Sequence, residues 1–316
     1  MKILITGVAG FIGSHLSECL AKNRHKVVGI DNLSDYYDVK LKHDNVKCIK
    51  RAGVHFVKAD LQNLGEYSNI GNDFDFIFHL AAQPGLSKHC TFESYLNNNV
   101  VATKTLIEFA KTQKKLRHFF NISTSSVYGK YATVSEEAVP QPISTYGITK
   151  LAAEQMVLSE SRQQHFRASS FRLYSVYGPR ERPDKLFTKL IYCALNDLKF
   201  PLYKGSLKHQ RSYTYVGDIV NGLANTLKVH NILDGEVINL GHYQKNSTQD
   251  GILIVEKLLK KHIQLEVLPP REGDQQQTQA NIDKAKLLLN YLPKTSFEAG
   301  IKQQIDWYKS KVKILF

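Results

Sequence analysis

A chain of 316 residues, 42% of them hydrophobic, has the composition of an ordinary globular protein and is long enough for one large domain or two moderate ones, which excludes extensive disorder. Its formal charge of +13 is dispersed, and the densest basic cluster (Lys111, Lys114, Lys115, Arg117) falls where a helix should end and cations oppose the macrodipole, so no nucleic-acid partner is expected. Cys19, Cys48, Cys90 and Cys193 stand far apart without a CxxC pair or a metal-ligand spacing, so no metal site is expected, and no run approaches the roughly eighteen apolar residues of a membrane span.

The opening MKILITG runs directly into a strand over Lys2–Thr6 without the basic and apolar sections of a secretory leader, so a cytoplasmic protein is expected. Gly7-Val8-Ala9-Gly10-Phe11-Ile12-Gly13 follows and opens a helix over Phe11–Lys22. Between a strand and a helix, glycines let the backbone turn sharply and approach a pyrophosphate, whose charge the helix N-terminus stabilises. A second strand, Lys26–Ile30, ends at Asp31. A carboxylate there can accept hydrogen bonds from a ribose hydroxyl pair and repel a 2′-phosphate, which favours NAD over NADP; a simple turn cap is the other reading. Strands over Val54–Lys58 and Phe74–His79 come next, the first followed by Asp60-Leu61 at the position to border an adenine.

A helix is predicted over about Glu93–Thr112 and a strand over His118–Ser123, ending in Thr124-Ser125-Ser126-Val127-Tyr128-Gly129. Hydroxyls there lie at the carboxyl edge of the sheet, where ligands of such sheets bind, although ordinary turn chemistry also uses them. A helix over Tyr146–Arg162 places Tyr146 and Lys150 one turn apart on one face. Free tyrosine ionises near pH 10, so a phenolate base at neutrality needs about 4 kcal/mol of help, which Lys150 and a positive nicotinamide ring would supply. Another strand is expected over Phe166–Leu173.

Beyond Gly178 the pattern is less regular. Helices are expected over Asp184–Asn196, Val216–Lys228, Thr248–Lys261, Asn281–Leu289 and Phe297–Lys309, with a buried strand at Val237–Leu240. The expected fold is α/β, a Rossmann-type doubly wound parallel sheet with a smaller, irregular C-terminal α/β lobe. Residues 1–180, rejoined by about 212–243, would form the dinucleotide domain, and 181–211 with 244–316 the substrate lobe.

Gly7, Gly10 and Gly13, His79-Leu80-Ala81-Ala82, Asn99, Thr124 and the Tyr146/Lys150 pair resemble the extended short-chain dehydrogenase/reductase family of nucleotide-sugar epimerases and dehydratases, and the similarity runs nearly end to end. The resemblance implies an enzyme that holds NAD against Gly7, Gly10, Phe11, Ile12, Gly13, Asp31, Asn32, Asp60, Leu61, Leu80, Ala81, Ala82, Gln83, Asn99, Tyr146 and Lys150. It implies a hydride moved from the sugar to NAD and returned to the other face, with Tyr146, Lys150 and Thr124 catalytic. It also implies a homodimer paired through the helices near Glu93–Thr112 and Tyr146–Arg162.

Within the family, Asp31-Asn32-Leu33-Ser34-Asp35-Tyr36-Tyr37-Asp38, Ala81-Ala82-Gln83-Pro84-Gly85 and Val176-Tyr177-Gly178-Pro179-Arg180-Glu181-Arg182-Pro183-Asp184 resemble the UDP-glucuronate 4-epimerase branch. That resemblance implies a UDP-sugar whose carboxylate meets Thr124, Ser125, Ser126 and Arg182, with Ser175, Arg211, Arg271 and Asp274 along the rest of the nucleotide sugar. Arginine suits a diphosphate because its planar fork donates two hydrogen bonds at once, although each of these arginines read alone would be a surface residue. Oxidising carbon 4 of a glucuronate makes a β-keto acid prone to lose carbon dioxide. The family's decarboxylases and dehydratases look like Thr-Ser-Glu and Thr-Asp-Glu at the hydroxyl turn, whereas this chain has Ser125 and Ser126, without the carboxyl group elimination needs. One departure stands out: where the branch usually reads Gly-Val-Arg-Tyr-Ser, this chain reads Gly85-Leu86-Ser87-Lys88-His89, so an expected arginine is missing and whether Lys88 replaces it is left open by the sequence. A UDP-glucose or UDP-N-acetylhexosamine 4-epimerase is the neighbouring alternative, and a non-catalytic NAD-binding protein the remote one.

Overall fold

The computed structural model describes residues 1–85, 90–270, 275 and 277–315. Seven parallel strands form the central sheet: β1 (Lys2–Thr6), β2 (Lys26–Asp31), β3 (His55–Lys58), β4 (Phe76–His79), β5 (His118–Thr124), β6 (Ala168–Leu173) and β7 (Val237–Leu240). Their order is β7-β6-β5-β4-β1-β2-β3. The chain leaves β1 toward β2 and β3, then returns to the other side of β1 as β4. Carboxyl ends on either side of that reversal leave a crevice, the usual ligand position in such sheets.

Period-two alternation explains the two apolar layers. Ile3, Ile5, Phe76, Phe78 and Phe120 face the helices Phe11–Lys22 and Val216–Val229, while Leu4, Ile77 and Phe119 face Leu106, Phe109 and Val157 on the opposite side. A third cluster, including Tyr177, Phe187, Leu190, Ile252 and Ile301, packs the helices Leu186–Leu195, Thr248–Leu259 and Phe297–Leu315 together. Beside it, Phe200–Tyr203 pairs in parallel with Leu265–Leu268.

The strand expected over Phe166–Leu173 begins at Ala168, the pair Phe200–Tyr203 and Leu265–Leu268 was not expected, and three further features depart from expectation. A helix over Val39–Arg51 was not anticipated; Asp38 caps it by accepting from the Lys40 N–H at 2.8 Å, and among its lysines only Val39, Leu41, Val46 and Ile49 carry a periodic signal. The helix expected over Glu93–Thr112 is interrupted by a π-helical turn, Leu96–Val101, between Phe92–Tyr95 and Ala102–Lys111. Such widened turns cluster at functional sites, and this one carries Asn99. Strand β4 starts at Phe76, because the Asp75 carboxylate caps the edge by accepting the Lys2 N–H at 2.8 Å.

Candidate active site

A cavity of about 790 Å³ opens along the carboxyl ends of β1, β2, β4, β5 and β6 and extends to the third apolar cluster. Its floor is the glycine turn. Gly7 has φ +69°, and a β-carbon on Gly13 would stand 2.2 Å from the Gly7 carbonyl oxygen, so turn and helix meet with no side chain between them. Gly10 caps the helix without any side-chain hydrogen bond, leaving the first-turn N–H groups for a ligand. Gly7, Gly10, Phe11, Ile12, Gly13, Asn32, Asp60 and Leu61 all line this end. The arrangement fits a dinucleotide pyrophosphate.

Asp31 serves as the turn cap. It lines the cavity, and its Oδ2 accepts from the Ala9 N–H at 3.0 Å while Oδ1 accepts from the Leu33 N–H at 2.8 Å. Burial raises its pKa, opposed by the Lys42 charge and those two amides. Lys42 was missed by sequence reasoning because it lies on the unanticipated helix. It is buried, bonds the Ser34 hydroxyl at 2.8 Å and sits 5.0 Å over the Tyr37 ring.

Leu80, Ala81, Ala82 and Gln83 form the next stretch of wall. Asn99, expected against the cofactor, is not among the lining residues and stands one layer behind them. Its Oδ1 accepts from the Gln83 N–H at 2.7 Å, and its Nδ2 donates to the Gln83 carbonyl at 3.3 Å and to Thr149 Oγ1 at 3.0 Å. With the amide fully engaged, Asn99 ties the wall to the helix Thr145–Arg162.

Ser144 caps that helix through the Gly147 N–H at 3.1 Å. A β-carbon on Gly147 would approach the Ser126 carbonyl oxygen to 2.8 Å, so this glycine lets the helix close on the hydroxyl turn. Tyr146 consequently shares a hydrogen bond with the Thr124 side chain, and Thr124, Ser125, Ser126, Tyr146 and Lys150 line one wall. The titration of the phenol differs from expectation. Burial raises it, opposed by the Thr124 hydrogen bond and by the Arg182 charge. Burial brings Lys150 down to about 8, opposed by the charge of Glu154.

The opposite wall comes from the second half of the chain. Arg182 is buried, its Nε and Nη2 each 3.0 Å from a carboxylate oxygen of Asp184 and its guanidinium 5.2 Å over the Tyr36 ring. Ser175, with φ +22°, and Arg211, on a short strand beside Asn246–Ser247, also line the cavity. Gln275, which also lines the cavity, donates to the Gly129 carbonyl at 2.7 Å and the Ser125 carbonyl at 3.3 Å, bracing the hydroxyl turn. Lys88, Arg271 and Asp274 lie outside the described residues. Tyr36, Lys185, Lys189, Tyr203, His209 and Tyr213 were not singled out by sequence reasoning, yet all line the cavity. Only proximity in the fold, not spacing, brings them together.

Among the described residues no cluster of His, Cys, Asp or Glu is arranged to hold a metal. The family model described as "NAD dependent epimerase/dehydratase family" matches residues 3–241. A solved UDP-glucuronic acid 4-epimerase from Bacillus cereus, in complex with UDP-glucuronic acid and NAD, is 37% identical, with a TM-score of 0.93 over 98% of this chain and 99% of that one. The uncharacterized UDP-glucose epimerase YtcB of Bacillus subtilis is 35% identical over 98% of each chain. A UDP-glucuronate 4-epimerase of Thermodesulfobacterium geofontis is 32% identical over 99% of this chain and 97% of its own.

Proposed function

The chain belongs to the NAD-dependent epimerase/dehydratase family, and from that premise we propose that it catalyses reversible, NAD-dependent 4-epimerisation of UDP-glucuronate to UDP-galacturonate through a transient 4-keto sugar. One observation carries the reading: the Tyr146 phenol bonds the Thr124 hydroxyl within reach of the Arg182 charge, in a cavity wall where Ser125 and Ser126 replace any carboxyl group. Thr124 holds the carbon-4 hydroxyl, Tyr146 takes its proton and later returns it, and Lys150 supplies positive charge beside the phenol. NAD, when bound, accepts the carbon-4 hydride and gives it back, and its positive ring favours the phenolate. Glu181, a buried carboxyl raised to about 7 by burial, also lines the cavity. Its Oε2 accepts from the Thr188 N–H and hydroxyl and from Gln304, which ties it to the helix Leu186–Leu195 rather than to the hydroxyl turn.

The cofactor-binding set is Gly7, Gly10, Phe11, Ile12, Gly13, Asp31, Asn32, Asp60, Leu61, Leu80, Ala81, Ala82 and Gln83, with Asn99 acting from behind. Thr124, Ser125, Ser126, Ser175, Arg182 and Arg211 contact the sugar nucleotide. Incubation with UDP-glucuronate and proton NMR should reveal UDP-galacturonate; no conversion would reject the reading. A second reading, epimerisation of an uncharged UDP-hexose, is favoured by the Asp184 carboxylate, which already occupies one edge of Arg182. The Arg182→Ala variant assayed on acidic and neutral sugars separates the two.

Residues 181–211 and 244–316 form the nucleotide-sugar lobe in this reading, supported by their share of the third apolar cluster. A homodimer is supported by exposed Phe92, Val101 and Ile148 on the two helical segments concerned, and gel filtration tests it. A cytoplasmic location is proposed with it; among the described residues no helix is long and apolar enough to cross a membrane.

A further inference from the structure

Lys150 is 3% exposed, and Glu154, one helical turn further along, is the group whose charge opposes the burial that lowers its pKa. Tyr146, Lys150 and Glu154 follow at i, i+4 and i+8, one stripe on one helix. Glu154 does not line the cavity and is 0% exposed. Arg172 on β6 grips its carboxylate from the sheet, with Nη2 at 2.6 Å from Oε1 and Nε at 3.1 Å from Oε2, and the Ser170 hydroxyl adds a bond at 3.3 Å. The Arg172 guanidinium lies 4.7 Å over the Tyr128 ring, and Tyr128 donates to Asn239 Oδ1 at 2.9 Å. Arg172 Nη1 is buried with no hydrogen-bond partner among the described residues.

Fold stability is a weak reason to keep such a pair. Exchanging a buried ion pair for apolar side chains is often neutral or stabilising, and this pair leaves a buried donor unsatisfied. A carboxylate one turn from a fully desolvated ammonium has a stronger rationale, because a buried lysine without a counter-charge gives up its proton. We propose that Glu154 is a positioning residue: anchored to β6 through Arg172, its carboxylate keeps the buried Lys150 protonated beside Tyr146 through the working pH range. The proposal rests on reading Tyr146 and Lys150 as the reacting pair. The titratable groups around Lys150 agree with it. His79, on the neighbouring strand, is held at about 3 by burial and by the Lys150 charge, so it stays neutral. Arg172 faces Glu154 and Tyr128 faces Arg172, and neither is among the groups that shift Lys150. Glu154 is therefore the anion available to it.

The test is the pH profile of kcat for the NAD-loaded enzyme, together with the tyrosinate absorbance of Tyr146 read as the difference from the Tyr146→Phe variant. Glu154→Gln should move the alkaline limb down by about one pH unit, a roughly tenfold deficit above the limb with little change near about pH 6, and the Tyr146 phenolate should appear at higher pH. Because Glu154→Gln strands the Arg172 charge, Glu154→Gln/Arg172→Met serves as the second variant, with the same shift expected and the thermal transition retained. Glu154→Asp should hold the limb nearer its original place. Uniform loss at every pH with the limb unmoved, or a wild-type profile in the double variant, would overturn the proposal. If the wild-type enzyme turned over no nucleotide sugar, the reaction assignment would fail instead, and the tyrosinate titration would still decide the role of Glu154.

Discussion

The dinucleotide end and the sugar end of the cavity are built by different means. At the dinucleotide end the backbone does the work: Gly7, Gly10 and Gly13 follow one another on a tight turn, and contact is set by the absence of side chains. At the sugar end, side chains from segments far apart in the chain converge, among them Tyr36, Ser126, Arg182 and Arg211. A backbone site tolerates almost no change, while a side-chain site can be retuned one residue at a time. The same sheet can therefore keep one chemistry and exchange the sugar it acts on.

The sharpest way to break this contrast is Gly13→Val. Its β-carbon would fall on the Gly7 carbonyl, so the turn must open, and the purified variant should carry no detectable NAD by absorbance after denaturation. Tyr146→Phe comes next, with kcat expected to fall about 10³-fold while bound NAD is retained, as single-turnover assays would register. At the opposite end, Arg182→Ala should lower kcat/KM for UDP-glucuronate by about 100-fold, the loss expected when one member of a buried charge pair is truncated, with a smaller loss for UDP-glucose. Equal losses on both sugars would place Arg182 with the shared machinery and erase the contrast. The smallest effect is expected of Asp31→Asn, which keeps a hydrogen-bonding side chain and should weaken NAD by about tenfold while narrowing its preference over NADP, measured by equilibrium binding.

The same contrast explains what the sequence could disclose. Strands β1, β2, β4, β5 and β7 carry Val, Ile, Leu and Phe covered on both faces, and the glycine spacing needs only its strand and helix as context, so these strands and the turn were legible to within two residues. The helix Val39–Arg51 escaped because its apolar residues are sparse, and Lys42 escaped with it. Asn99 was found but misplaced, since its amide serves the cavity wall rather than the cavity. Glu154 had a faint signal, an acid four residues past Lys150 answered by an arginine inside a buried strand, but only the fold joins positions 154 and 172. At the sugar end, spacing carries almost no information, and a family resemblance supplied what periodicity did not.

The glycine turn and the hydroxyl turn open into one chamber. In an epimerase this confines oxidant and reductant to the same enclosure, so electrons taken from the sugar go back to it before the product departs. The coenzyme would then be a resident part rather than a consumable, and the reaction would run without drawing on the surrounding pool of oxidised or reduced nicotinamide. Its course would be invisible to any assay that follows net change in that pool, and its direction would be set by the relative amounts of the two sugar epimers alone.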